Sequence, residues 1–126
     1  MKLTNQLILN SIEGLSAISK REFPIKVSYA ISKNIKKINE ELITYNEQRQ
    51  KLVTKYAICD ENGKTILDEN NIFHIKEEFV EVWNKELKEL FAIENDIDIS
   101  KFPLKALTGF NISASDIGLI DYMIEE

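Results

Sequence analysis

The longest regular pattern of apolar positions in the sequence lies between residues 24 and 56. Positions there recur at alternating spacings of four and three residues, and this heptad stripe consists of Ile31, Ile35, Ile38, Leu42, Tyr45, Arg49, Leu52 and Tyr56. A 3.5-residue period of this kind is typical of a coiled-coil helix. The stripe therefore predicts one long helix over residues 24–56, with Pro24 in the first turn, where its missing N–H leaves no bond unmade.

A helix of this length needs other elements to cover its stripe. At the usual rise, its 33 residues would extend about 50 Å. Two arrangements would bury the stripe: packing against other helices of the same chain, or self-association into a homo-oligomer through the stripe. The first is the more common use of such a pattern, and we keep the second as the alternative.

Two shorter segments show the spacing of amphipathic helices. Apolar residues recur every three or four positions over residues 4–19, where Thr4 is suited to cap the first turn. The same spacing over residues 76–93 places on one face Phe79, Val82, Trp83, Leu87, Leu90 and Phe91. These two helices and the long helix predict a helical hairpin or three-helix arrangement.

The remaining segments have short apolar runs separated by turn-forming residues. Residues 57–75 predict a small β-hairpin between the long helix and the next one, with Asn62-Gly63 as a type I′ turn in which both residues have positive φ. Residues 95–126 predict an extended segment and a short C-terminal helix that begins near Ser113. The fold class is therefore mainly α, of the α+β type, in a single domain over residues 1–126.

Charge is divided unevenly along the sequence. Residues 1–55 contain ten Lys or Arg and five Glu, whereas residues 56–126 contain six Lys and sixteen Asp or Glu, and the net charge of the chain is −5. Lys26, Lys33, Lys36 and Lys37 form a basic patch near the start of the long helix. No aromatic residues alternate with these lysines as in single-strand binders. Binding to the acidic C-terminal half of the chain, or to an acidic protein partner, is therefore favoured over nucleic acid.

Residues suited to catalysis or metal binding are few. Cys59 and His74 lie on either side of the predicted turns, and a Cys–His nucleophile pair is the one enzymatic arrangement to consider. A single histidine excludes zinc sites built on two histidines. An EF-hand that started at Asp60 or Asp68 would lack its required ligands and glycine, so the repeated Asp-Glu-Asn at 60–62 and 68–70 is better explained as turn-forming. We therefore expect no enzyme activity, no cofactor and no metal.

The sequence has no membrane or secretion signal that we recognise. Polar residues occupy the start of the chain, where a signal peptide would have its apolar run, and no apolar segment is long enough to span a bilayer. With one cysteine and no internal disulfide, a reducing compartment is the simpler expectation. We expect a cytoplasmic protein without a membrane partner.

Several segments together resemble a known protein family. They are residues 1–10, the stretch Phe23-Pro24-Ile25-Lys26-Val27-Ser28-Tyr29, residues 33–38, Lys55-Tyr56, residues 60–64, and the positions Phe79, Trp83 and Leu90 before the closing residues 97–120. This combination is similar to a family of small proteins from tailed phages and prophages of Gram-positive bacteria. The family has no assigned activity, so the resemblance implies a context: a siphophage genome, often near tail and lysis genes, with expression in a bacterial host and an association with the virion as one option.

These observations predict a non-enzymatic interaction or assembly protein, for which association with the phage tail is one option. Its partner would be a phage structural or assembly protein or a host protein. The alternative is an inhibitor of a host or defence protein, in which the acidic C-terminal half would imitate nucleic acid. The residues that we expect to bind a partner lie in the basic patch, in the heptad stripe and in the hairpin, and are Lys33, Lys36, Lys37, Arg49, Asn62 and Phe73.

Overall fold

The computed structural model describes residues 1–125, which form two compact units. The terminal unit consists of Met1–Glu41 and Glu94–Glu126, and the central unit of Leu42–Ile93. The fold is mainly helical with short strands, which confirms the predicted α+β class.

The helices follow the periodic segments of the sequence closely. Within residues 1–125 they are α1 (Asn5–Ser19), α2 (Ile25–Tyr56), α3 (Val80–Ala92) and α4 (Ala114–Ile120). Short 3₁₀ turns cover Glu77–Phe79, Leu104–Leu107 and Asp121–Met123. The Thr4 side chain accepts a hydrogen bond from the N–H of Leu7, so the predicted cap of α1 is confirmed. The Ser113 side chain accepts one from the N–H of Asp116 and caps α4, which begins where the sequence predicted a helix.

Two pairs of short strands belong to the terminal unit. β1 (Lys2–Thr4) pairs antiparallel with β2 (Glu94–Asp96), and β3 (Phe102–Pro103) pairs in parallel with β4 (Ile124–Glu125). The sequence predicted an extended segment after residue 95 but no strand at the N-terminus. Three residues are too few to show the alternation by which a strand is recognised.

The core of the terminal unit is built from one face each of α1 and α2 together with the C-terminal segments. Its most deeply buried side chains are those of Leu3, Ile8, Leu15, Ile18, Val27, Ile31, Ile38, Phe102, Ile120 and Met123. Gly14 lies where α1 approaches α4: a Cβ built on it would be 2.5 Å from Cδ1 of Leu119. Glycine therefore permits the close contact between these two helices.

The heptad stripe of α2 is covered by other elements of the same chain. Ile31 and Ile38 are buried in the terminal unit, and Tyr45 and Tyr56 in the central unit. This confirms the expected packing within the chain, so burial of these four positions does not require self-association. The other four stripe positions, Ile35, Leu42, Arg49 and Leu52, are only half-buried. Beside Ile35, the polar Asn34 is fully buried in its place.

The central unit has its own aromatic core at the end of α2. Val53, Tyr56, Ala57 and Trp83 are buried there, and the side chains packed around them are Leu52, Phe73, Ile75, Phe79, Val82 and Leu87. Residues 57–75 form the predicted small β-structure, with antiparallel bridges between Ala57 and Ile75, Cys59 and Thr65, and Leu67 and Phe73.

Candidate functional site

The first turn of the hairpin is organised by one carboxylate. Oδ1 of Asp60 accepts hydrogen bonds from the N–H groups of Asn62 and Lys64, each at 2.9 Å. The backbone closes the same loop, because Gly63 donates to the carbonyl of Asp60 and Asp60 donates to that of Lys64. Gly63 has a φ of 78°, whereas Asn62 does not have positive φ. The predicted type I′ turn is therefore wrong: Asp60 caps the loop from its side chain, so only Gly63 needs the left-handed conformation.

The second turn repeats the first with a shift of eight residues. Oδ1 of Asp68 accepts from the N–H groups of Asn70 and Ile72, and the Asp68 N–H donates to the carbonyl of Ile72. Asn71 takes the place of Gly63 and has a φ of 61°. The two Asp-Glu-Asn segments are therefore one turn structure used twice, and the turn-forming interpretation of these residues is confirmed.

His74 is bound to the second turn. Its Nε2 lies 2.8 Å from Oδ2 of Asp68, the carboxylate oxygen that the turn does not use. This hydrogen bond, with those from the N–H groups of Ile72 and Asn70, holds the pKa of Asp68 below its ordinary value. The Sγ of Cys59 lies 3.3 Å from the carbonyl oxygen of Ala57. The His74 ring and the Cys59 thiol are therefore each bonded elsewhere rather than to each other.

Apolar side chains occupy the solvent side of the hairpin. Along its segments Cys59, Thr65 and Phe73 are half-buried and the even-numbered residues beside them are exposed, as the two-residue period of extended chain requires. Leu67 departs from this alternation, because it is odd-numbered and 52% exposed. The outward positions form a hairpin surface that consists of Ile58, Ile66, Ile72 and His74. The isoleucines are 42%, 47% and 54% exposed in that order.

Phe73 and Arg49 support the hairpin from within the central unit. The Phe73 ring meets Trp83 edge to face with centroids 5.8 Å apart, and the Arg49 guanidinium lies 5.5 Å from the centre of the Phe73 ring. Both side chains are half-buried, whereas Asn62 is exposed at the first turn. Of the three central residues expected to bind a partner, two thus pack against the core.

The structure divides the basic patch of α2 into lysines with different surroundings. Nζ of Lys37 donates to the carbonyl of Asp98 at 2.6 Å and lies 3.9 Å from its carboxylate. Lys36 is exposed, and Nζ of Lys33 lies 5.5 Å from the centre of the Tyr29 ring. Lys37 is thus engaged within the chain, as the opposite charges of the two sequence halves suggested.

A cleft of about 270 Å³ opens beside the other lysines in the terminal unit. We refer to it as the basic cleft, and the residues that line it include Lys26, Tyr29, Lys33, Ser100, Lys101 and Pro103. The first three lie on one face of α2, because residues spaced by three, four and seven positions share a helix face. Lys101 on the opposite wall was not predicted, since it is far from α2 in sequence.

Asn34 holds the second wall of the basic cleft against α2. Its side-chain Nδ2 donates to the carbonyl of Ser100 at 2.8 Å, and its Oδ1 accepts the Ser100 N–H at 2.7 Å. The bond from Lys37 to Asp98 anchors the same segment two residues earlier. The cleft is therefore shaped by bonds that do not involve Lys26, Lys33 or Lys101, whose side chains are exposed.

The described residues offer no metal site and no membrane-spanning helix. No three His, Cys, Asp or Glu side chains within residues 1–125 are grouped to hold a metal ion. In the same part of the chain, every helix is too short or too polar to cross a bilayer.

Comparison of the chain with protein-family models, with curated proteins and with solved structures finds no match in any of the three. The two candidate surfaces are therefore defined by their own geometry. The structure places Asn62 and Phe73 in the hairpin of the central unit and Lys33, Lys36 and Lys37 in the terminal unit, so the predicted binding residues do not form one cluster within a unit.

Proposed function

We propose that the chain is a non-enzymatic interaction protein that docks on another protein through the hairpin surface. The observation that supports this is the exposure of Ile58, Ile66 and Ile72 on the outward side of the hairpin. Antiparallel strands with one face in water normally carry polar side chains on that face. Grouped exposed apolar side chains instead mark sites of protein interaction, because covering them releases water.

The construction of the hairpin suits it to present these side chains in one conformation. Asp60 and Asp68 each close a turn with two side-chain hydrogen bonds. Phe73 anchors the inward side against Trp83. A surface that is ordered before binding loses less conformational entropy in the complex, which favours affinity.

The family resemblance suggests the class of partner. We propose that the partner is a structural or assembly protein of a tailed phage, such as a tail component. The chain would bind it in the cytoplasm of the bacterial host or in the virion. A host protein is the other candidate partner.

The alternative of an inhibitor that imitates nucleic acid receives no support from the charge distribution. By sequence, the terminal unit has nine Lys or Arg and eleven Asp or Glu, and the central unit has seven and ten, so their net charges are −2 and −3. The acidic C-terminal residues share a unit with the basic N-terminal ones. Neither unit has the strong single-sign charge that imitation of a polyanion requires.

Affinity purification from phage-producing bacterial cells, followed by mass spectrometry, tests the proposal. The variant Ile58→Thr/Ile66→Thr/Ile72→Thr keeps β-branched side chains at all three positions but replaces apolar surface with hydroxyls. We expect wild-type protein to retain a defined phage or host protein that the triple variant loses. Equal recovery of that protein by both would contradict docking through the hairpin.

A matched control distinguishes docking through the hairpin surface from nonspecific binding by any exposed apolar side chain. Ile43 of α2 and Val80 of α3 are also exposed in the central unit, 60% and 41%, but lie outside the hairpin. The variant Ile43→Thr/Val80→Thr should retain the same partner as wild type. Circular dichroism and urea unfolding should show that both variants stay folded, because exposed substitutions of this kind change stability by only about 0.5 kcal/mol each.

A further inference from the structure

We infer that the basic cleft is a second binding site, which takes an acidic segment of a partner protein. Lys26, Lys33 and Lys101 would pair with its carboxylates, and Tyr29 would contact its apolar side chains. The site belongs to the terminal unit, whereas the hairpin surface belongs to the central unit. The inference therefore does not rest on docking through the hairpin.

The three lysines of the cleft are not neutralised by the chain itself. Ion pairs of the terminal unit involve Lys37 with Asp98 and Arg21 with Asp116, but none within residues 1–125 involves Lys26, Lys33 or Lys101. The described lining of the cleft includes no Asp or Glu. In a unit with a net charge of −2, this makes the cleft a local concentration of unpaired positive charge.

The shape of the cleft fits a polypeptide that passes along it. Pro103 also lines an adjoining, larger cleft of about 860 Å³, whose described lining also includes Leu104, Lys105, Thr108 and one carboxylate, that of Glu125. Tyr29 and Leu104 are 63% and 54% exposed, so each offers apolar contact area on its own side of Pro103. A segment in which carboxylates alternate with apolar side chains would match lysines and apolar groups in turn.

The chemistry of the cleft favours carboxylates over a phosphate group. Phosphate sites usually rely on the planar fork of arginine or on a loop of backbone N–H groups. The described lining has lysines instead, which act as separate point charges with no bidentate geometry.

Nucleic acid is the less favoured occupant of the basic cleft. Tyr29 is the one exposed aromatic ring in the described lining, whereas single-strand binders stack successive bases on several rings.

Fluorescence anisotropy with a labelled synthetic peptide of Glu and Leu residues tests the site directly. The variant Lys26→Gln/Lys33→Gln/Lys101→Gln should bind this peptide at least about 10-fold more weakly than wild type, which corresponds to about 1.4 kcal/mol. The control variant Lys2→Gln/Lys20→Gln/Lys88→Gln has the same net charge and alters exposed lysines outside the cleft. It should bind within about 2-fold of wild type, since distant exposed charges are screened by salt.

Further variants and probes decide the identity of the occupant. Tyr29→Ala should weaken peptide binding, and Tyr29→Phe should restore it. The threonine variant of the hairpin should bind the peptide as wild type does, so failure of one proposal leaves the other intact. Circular dichroism should confirm that every variant is folded.

Four results of the binding experiments would overturn the inference. They are absence of peptide binding by wild type, an equal loss in the control variant, tighter binding of oligo-dT than of the peptide, and displacement of the peptide by inorganic phosphate at a concentration at which chloride has no effect. Self-association of wild type that the cleft variant abolishes, seen by sedimentation velocity, would make a second copy of this chain the occupant and would equally overturn a foreign acidic segment.

Discussion

The side-chain amide of Asn34 pairs with the backbone of Ser100 as a neighbouring strand would. It donates to the Ser100 carbonyl at 2.8 Å and accepts from the Ser100 N–H at 2.7 Å. Asn34 is 0% exposed. A buried amide is tolerated in a core only when its polar atoms are bonded, and here both bonds go to one residue that lies far away in sequence.

Replacement of Asn34 should therefore destabilise the terminal unit. In Asn34→Leu the N–H and the carbonyl of Ser100 lose their partners, and each unsatisfied buried group costs about 1–3 kcal/mol. We expect the free energy of unfolding to fall by about 2–4 kcal/mol in urea titrations. Asn39→Leu is the matched control, because Asn39 is exposed on the same helix, and its effect should stay within about 0.5 kcal/mol. Similar losses in the two variants would contradict the role given to the Ser100 bonds.

The heptad stripe shows how far periodicity alone specifies a core. It predicted the length of α2 and the burial of Ile31 and Ile38. It placed Ile35 in the stripe because Ile35 is apolar, yet residues 34 and 35 both lie near the seam of a 3.5-residue repeat. Asn34 is buried in place of Ile35 because its amide bonds to the backbone of Ser100. Ser100 is distant in sequence, so the local pattern of apolar residues could not predict this contact.

In the candidate sites, too, local sequence patterns predicted the elements but not the contacts between distant residues. The alternation of residues 57–75 predicted the hairpin, and the repeated Asp-Glu-Asn was the signal of its two equal turns. The type I′ prediction failed because it considered Asn62-Gly63 without the carboxylate of Asp60. The basic patch was predicted from neighbouring lysines of one helix, but Lys101 joins the cleft through tertiary structure, and Lys37 is engaged by Asp98 in the same way.

The two turns should differ in how strongly they respond to substitution at their left-handed residue. Gly63→Ala places a Cβ at a φ of 78°, and we expect a loss of about 1–2 kcal/mol in the free energy of unfolding. Asn71→Gly relieves strain at a φ of 61° but increases the entropy of the unfolded chain, so its net effect should lie within about 1 kcal/mol of zero. Urea unfolding of both variants measures this difference. A loss for Asn71→Gly as large as that for Gly63→Ala would contradict the equivalence of the turns.

Gly14 and Gly118 both lie in helices but have different surroundings. Substitution by alanine should therefore change the free energy of unfolding differently at the two positions. A Cβ added to Gly118 in α4 would have no neighbouring atom within 4 Å, so Gly118→Ala should stabilise the helix by about 0.5–1 kcal/mol. In Gly14→Ala the new methyl group would lie 2.5 Å from Cδ1 of Leu119, which must move. We expect Gly14→Ala to gain less than Gly118→Ala or to lose stability in thermal and urea unfolding. Equal gains would show that α1 and α4 are not held at this close approach.

The bond between Asp68 and His74 makes the second turn dependent on pH. The hydrogen bond from His74, followed by that from the N–H of Ile72, lowers the pKa of Asp68 from its ordinary value of 3.8. The folded state therefore binds this proton less readily than the unfolded state does. The stabilisation is fully present above pH 3.8 and is lost as the pH falls through the lowered pKa.

Carboxyl carbon chemical shifts followed by NMR as a function of pH measure this pKa directly. His74→Val removes the largest cause of the shift and places a β-branched side chain in the extended segment, so the pKa of Asp68 should rise toward 3.8. His74→Gln is the control, because its amide can still donate to Oδ2 and should preserve part of the lowering. The bonds from Ile72 and Asn70 remain in both variants, so some lowering should persist even in His74→Val. If the pKa of Asp68 were the same in wild type and His74→Val, the turn's own N–H groups would account for the whole effect, and His74 would have no part in the pH dependence.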